Sequence, residues 1–323
     1  MKKLMTLALT AVVIAFTLPT LAVAASPEPV YKFDTKVNAA KPYKIAVVLK
    51  NFTNPFWLTH QKAAERAGKE LGVAVTVLAP TKPDNVEEQV RILEDLVIKK
   101  VDAVVVAPAN TQAIAAGVKK LIAAKIPVVY DNTRGSGGDF VAYIGADNIL
   151  VGRAMAEEMV KRMGAKGKLL VLEGMPGQQT AMDRLAGVKE VLAKNPGIEY
   201  ISQTAKWTLD EGRNVTENML QRWPDLKAIL CIGGEMALGA AEAVKGAGKE
   251  GKIIISSMDV NSPQVTAVKA GRIDFTVSQA PGDQAYWSVV AAIRALNGEK
   301  VPQEIRTPVI IVTKENVEKY AEE

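Results

Sequence analysis

Eight polar and aromatic residues follow short apolar runs along the chain: Asn54, Phe56 and Trp57 in "NFTNPFW", Asp131 and Asn132 in "PVVYDN", Trp207 in "TAKWTLDEG", Asp259 in "IISSMDV" and Gln279 in "FTVSQ". Carboxylates and amides bind hydroxyl groups in pairs, and aromatic rings stack on the apolar faces of saturated rings. Taken singly, each of these residues suits a helix cap or a core position. Their shared place just past successive runs points to a binding cleft for a small hydroxylated molecule. Catalysis has little to work with. His60 is the single histidine and Cys231 the single cysteine, so neither a histidine zinc site nor a disulfide within the chain can form. No G-x-S-x-G elbow accompanies His60, which reads as a surface or helix-face residue. "GSGG" at 135–138 lacks the spacing of a dinucleotide fingerprint and reads as a loop. Cys231, within "AILCIG", reads as core packing. No metal site, cofactor or enzymatic activity is expected.

The elements that must position these residues follow from hydrophobic patterning. "KIAVVLK", "VTVLA", "AVVVA" and "IPVVYD" are continuous apolar runs, the pattern of strands buried on both faces of a parallel sheet. Between them, Val86, Val90, Leu93 and Val97 form a helical stripe. The alternation starts again with "KLLVLEG", "IEYISQ", "KAILCIG", "KIIISSMD" and "FTVSQ", separated by helical stretches such as 179–193 and 235–247. Strand alternating with helix predicts an α/β fold, here two doubly wound parallel-sheet lobes. In such sheets ligands bind beyond the carboxyl ends of the strands, where the eight residues lie.

The N-terminus reads as a targeting segment. Lys2 and Lys3 precede an apolar run from Leu4 to Leu18, then Pro19 and the small-residue stretch Leu21–Ala25. This is the layout of a cleavable secretory signal over residues 1–24, with cleavage expected after Ala24 and export to the periplasm. The formal charge of +5 falls to about +3 without it. The remaining charges are scattered, with no basic stripe interleaved with aromatics, so nucleic-acid binding is not indicated. A monomer is expected.

Taken together, "KIAVVLKNFTNPFW", the A-D-N-x-x-x-G segment at Ala146–Gly152, "GEMALGA" and "SSMDVNSPQVTAVKAGRIDFTVSQAP" resemble the periplasmic sugar-binding proteins of ABC transporters, the ribose/galactose-type family with the type I fold. The resemblance covers roughly Lys44 to Thr313. It implies two lobes joined by a three-strand hinge, residues 42–146 plus 280–308 and residues 147–279 plus 309–323, closing on a small-molecule ligand and delivering it to a membrane permease. Carried over by position, the family's ligand sites fall on Asn54, Phe56, Trp57, Trp207, Asp259 and Gln279. Phe56 and Trp57 would form one side of an aromatic sandwich and Trp207 the other, with Phe52 packing at the turn.

The chain also departs from that pattern. A ribose binder of the family would have Asn at Ala107, Arg at Met182 and Asn-Asp at Gly233-Gly234, and its Asp-Arg pair falls on Asp131-Asn132 or, one residue on, Asn132-Thr133. Two readings follow. Either Gln178, Gln179, Asp183, Arg184 or Glu235 replaces the missing partners and the ligand is a sugar or polyol, or Ala107, Met182 and Gly233 line a pocket for a smaller or less hydroxylated ligand: a short polyol, a deoxysugar, a furanose-like signal or a small cation. Import and presentation to a chemoreceptor or sensor kinase are both compatible with the fold.

Overall fold

The computed structural model describes residues 29–320; the proposed signal segment, 1–24, lies outside the described residues. The chain runs β1 (Lys44–Val48), α1 (Pro55–Leu71), β2 (Ala74–Leu78), α2 (Val86–Lys99), β3 (Ala103–Val106), α3 (Ala115–Ala123), β4 (Val128–Asp131) and β5 (Ala142–Ala146). It continues with α4 (Asn148–Met163), β6 (Gly167–Glu173), α5 (Gln179–Leu192), β7 (Ile198–Thr204), α6 (Leu209–Arg222), β8 (Leu226–Cys231), α7 (Gly234–Gly246), β9 (Ile254–Ile255), α8 (Ser262–Lys269) and β10 (Phe275–Ser278). It closes with α9 (Pro281–Leu296), β11 (Glu304–Thr307) and β12 (Ile310–Thr313).

Two sheets result. The first has the order β11-β5-β4-β3-β1-β2, with every pairing parallel. Its strands are apolar throughout because they serve two cores. Ile45 and Val47 pack on the side of α1 and α9, while Ala46 and Val48 pack on the side of α2 and α3. The second sheet, β7-β6-β8-β9, is also parallel. A bridge from Ser256 to Phe275 extends it to β10, which pairs antiparallel with β12. The "KIIISSMD" run supplies only two residues of strand before it turns into the loop that carries Asp259.

The chain passes from one sheet to the other three times: between β5 and α4, between β10 and α9, and between β11 and β12. β5, β11 and β12 had no counterpart among the apolar runs read as strands. The segment before β1 is also integrated. The Val30 N–H donates to the Glu304 carbonyl at 2.8 Å, the Arg306 N–H donates to the Val30 carbonyl at 2.8 Å, and the Phe33 ring meets Trp287 at 6.1 Å. Among the described residues no helix is long and apolar enough to cross a membrane.

Candidate functional site

The carboxyl ends of both sheets face one cleft, lined by Asn54, Phe56 and Trp57 after β1, Asn132 after β4, Trp207 after β7, Gly233 after β8, Asp259 after β9 and Gln279 after β10. Eight of the ten residues singled out as ligand contacts therefore converge. Met182 and Asp131 do not. On α5 the residues Thr180, Ala181, Arg184, Gly187 and Val188 turn inward, and Met182, about 200° around the helix from Arg184, is 46% exposed on the outer side. Asp131 ends β4 with its side chain fully buried behind the cleft, so of the adjacent pair Asn132 is the one that lines it.

Local sequence explains the first wall. The Asn51 side-chain oxygen accepts from the Asn54 N–H at 2.9 Å, and the Asn54 side chain accepts from the Phe56 N–H at 3.0 Å, capping α1 ahead of Pro55. The cap sets Phe56 and Trp57 edge to face, with centroids 4.8 Å apart. Phe52, expected to pack at this turn, is exposed. Its position in the Asn51–Asn54 turn, ahead of the helix, gives it no core face.

Trp207 lines the cleft from the second sheet. A β-carbon at Gly174 would stand 1.9 Å from the indole, and one at Gly233 would stand 2.6 Å from it. Gly233 is thus bare because the indole occupies the space, not because a polar contact has been lost. Ala107 is likewise no gap in the cleft. It is fully buried, and its carbonyl accepts from Gln89 Nε2 at 2.9 Å.

Charged and amide groups supply the polarity that patterning alone left in doubt. Arg184 is buried, donating from Nε to Asn148 at 2.8 Å, from Nη1 to the Ile232 carbonyl at 2.9 Å and from Nη2 to Gln279 at 2.9 Å. Burial lowers its pKa to about 10. Gln279 Nε2 donates to Asp259 Oδ1 at 2.8 Å; burial raises the Asp259 pKa, and that hydrogen bond and the Arg184 charge oppose the rise. Two further cleft residues, Lys50 and Asp84, escaped sequence reasoning. Lys50 Nζ donates to Thr133 Oγ1 and Gln178 Oε1, both at 2.9 Å, and lies 5.3 Å from the Trp57 ring centre. Burial is the main cause that lowers its pKa to about 8. The available signal was a lysine ending the apolar run "IAVVLK", where a solvated side chain is not expected.

Gln178 ties the two halves together. Its side-chain oxygen accepts from Lys50 and from Trp207 Nε1, the latter at 2.9 Å, and its Nε2 donates to Asp84 Oδ1 at 3.2 Å. Thr133 and Thr180 hydroxyls meet at 2.8 Å, and the Gln179 N–H donates to Thr111 Oγ1 at 2.9 Å. Of the other substitutes considered, Gln179 Nε2 donates to Asp183 beside a separate groove, and Glu235 accepts from Gln264 Nε2 at 3.1 Å. Among the described residues no cluster of three or more His, Cys, Asp or Glu could hold a metal ion. Cys231 is fully buried and burial pushes its thiol up.

His60 lies on a helix face, one of the two expected places, but it is the buried face and not the surface. It is fully buried, its ring 4.6 Å from Phe56 and 5.0 Å from Trp57, with Nε2 3.5 Å from Asp131 Oδ2. The spacing of Phe56, His60, Ala63, Ala64 and Ala67 marks the buried face of α1, and this was the signal that could have placed it.

Residues 45–300 match the family model described as the periplasmic binding protein domain. The D-allose-binding periplasmic protein of Escherichia coli (strain K12) is 34% identical over 258 residues, covering 77% of this chain and 82% of that protein. An ABC transporter solute-binding protein from Actinobacillus succinogenes 130z, solved with bound D-allose, superposes with a TM-score of 0.82 at 30% identity, covering 87% of this chain and 100% of that one. A solute-binding protein from Agrobacterium vitis, solved with bound D-fucose, gives a TM-score of 0.83 at 30% identity, covering 86% and 98%.

Proposed function

This chain belongs to the periplasmic binding protein family, and from that membership and the groups lining the cleft we propose that it is an exported receptor for a monosaccharide or cyclic polyol, delivering its ligand to an ABC permease. The observation that supports the reading is a single cleft lined by Phe56 and Trp57 from the first sheet, by Trp207 from the second, and by hydroxyl-binding groups from both. Lys50, Arg184 and Asn132 offer donors; Asp259, Gln279 and Asp84 offer acceptors. A ring with apolar faces and a polar edge suits both sets. Arg184, two residues after Met182, puts a guanidinium into the cleft from the same helix, which favours a hydroxylated ligand over a deoxygenated one or a small cation.

The two lobes meet at the three crossings, and closure about them would seal the ligand between the walls. Residues 1–24 would be removed on export, and the mature chain would act as a monomer. Presentation of the loaded receptor to a chemoreceptor is a second use of the same closed form.

The experiment is a thermal-shift screen of the protein against D-allose, D-ribose, D-fucose, myo-inositol, linear polyols and quaternary amines. A ligand at 100 times its Kd adds about 2.7 kcal/mol of stability, a shift of several degrees. Stabilisation by a cyclic sugar or polyol supports the reading; a response to amines alone overturns it.

A further inference from the structure

The buried pair behind the aromatic wall makes a demand on protons that geometry alone sets. His60 Nδ1 lies 3.1 Å from the Phe56 carbonyl oxygen. A carbonyl can only accept, so Nδ1 carries the hydrogen. In a neutral ring Nε2 would then be a bare lone pair, yet it faces Asp131 Oδ2 at 3.5 Å. Neither His60 Nε2 nor either oxygen of Asp131 has any other hydrogen-bond partner, and neither side chain is reached by solvent. Two lone pairs facing each other away from bulk solvent, one on a full anion, are strongly unfavourable. A proton between them removes the conflict, as imidazolium with carboxylate or as imidazole with carboxylic acid.

We propose that His60 and Asp131 hold one proton between them and act as a positioning pair for the first wall of the cleft, a role that rests on the ligand-binding reading only where the cleft is concerned. His60 props both rings of the wall, one helical turn after Phe56. Asp131 immediately precedes Asn132, which adopts a left-handed conformation with φ of 59° and reaches Gln284 at 3.0 Å. Fixing the pair therefore fixes the rings and the start of the Asn132 turn together. Two other charges act on it through space: Asp131 raises the pKa of Lys50, after β1, and His60 lowers that of Asp259, after β9. Asp131 then acts through His60 and touches no ligand atom.

With a single histidine in the chain, an untagged protein gives one set of imidazole signals. Nitrogen-15 spectra of the ring and carbon-13 spectra of the aspartate carboxyls, without ligand, read the pair directly. The expected result is either both ring nitrogens bearing hydrogen, or an Nδ1–H ring beside a protonated Asp131. A neutral ring beside an ionised Asp131, or an Nε2–H tautomer, overturns the proposal. Variants supply the second readout. His60→Leu strands the carboxylate and should lower Tm by several degrees, and adding Asp131→Asn to it should restore most of that loss. Additive losses overturn the coupling. In sugar titrations, His60→Leu should weaken affinity at least as much as Asp131→Asn does, whereas a larger loss in Asp131→Asn would make Asp131 a ligand contact instead. If no sugar binds, the spectra and the stability cycle still decide the pair while the receptor reading fails separately.

Discussion

The indole of Trp207 lies so close to Gly233 that a β-carbon there would stand 2.6 Å from ring atom Cε3. The aromatic wall of the second half of the cleft is therefore set by the absence of a side chain as much as by the presence of a ring. Gly233→Asn, the substitution toward the ribose-binding pattern, should displace the indole and reduce affinity by at least tenfold, about 1.4 kcal/mol. Calorimetric titration of that variant checks this; unaltered affinity would mean that Trp207 does not frame the ligand.

Asp259 has a φ of 70°, a conformation asparagine tolerates. Asp259→Asn should thus keep the backbone while removing the charged acceptor. A hydrogen bond to a charged group contributes about 1.5–3 kcal/mol, so ligand affinity should fall roughly tenfold to a hundredfold. Burial raises the Asp259 pKa, meaning that the folded protein bears a cost for its charge. Tm of the variant without ligand should accordingly hold or rise, which separates a binding role from a structural one.

Lys50 gives a pH signature. Its pKa in the folded chain is about 8, against 10.5 for an ordinary lysine, so between these values the unfolded chain binds more protons than the folded one. Stability from this group therefore rises with pH across that window, and its burial cost is fully present below pH 8. Replacement by methionine removes the cost. The Tm gap between Lys50→Met and wild type should shift in favour of wild type as pH rises from 7 to 10. Over pH 7 to 9 the ammonium loses one of its three donors, and sugar affinity should weaken in wild type but stay flat in the variant.

Gln178 holds Lys50, Asp84 and Trp207 at once, joining elements of both sheets. Gln178→Ala removes hydrogen bonds worth about 0.5–1.5 kcal/mol each. The two that cross the cleft, to Lys50 and Asp84, sum to about 1–3 kcal/mol, so affinity should drop about fivefold to a hundredfold, chiefly through faster dissociation, since contacts made on closure govern release. Stopped-flow measurement with tryptophan fluorescence distinguishes the rates; a change confined to association would argue against a cross-cleft strap.

The fold was legible wherever strands are buried on both faces, because runs such as "AVVVA" have no other comfortable place. It was less legible at the crossings. β11 and β12 are four-residue strands whose partners, β5 and β10, lie far away in the chain, so no local pattern marks them. Site residues beyond strand ends could be read from order along the chain, but facing could not. Asp131 and Asn132 are neighbours of similar chemistry, and only the turn after β4 decides which one meets the cleft. His60 was obscured for a related reason: a lone polar residue on an amphipathic helix suits the surface, and its partner is 71 positions away. Gly233 shows the limit most plainly, since its meaning depends on a tryptophan from another loop.

Whether a ring is held between Trp207 and the first wall is decided by titration calorimetry of wild type beside Trp207→Ala, using D-allose, D-fucose and myo-inositol at pH 7. Wild type should show saturable one-to-one binding of at least one of these, and the variant a loss of tenfold or more. Absence of heat with every cyclic sugar and polyol, or equal affinity in the two proteins, would contradict a ring held between facing aromatic walls.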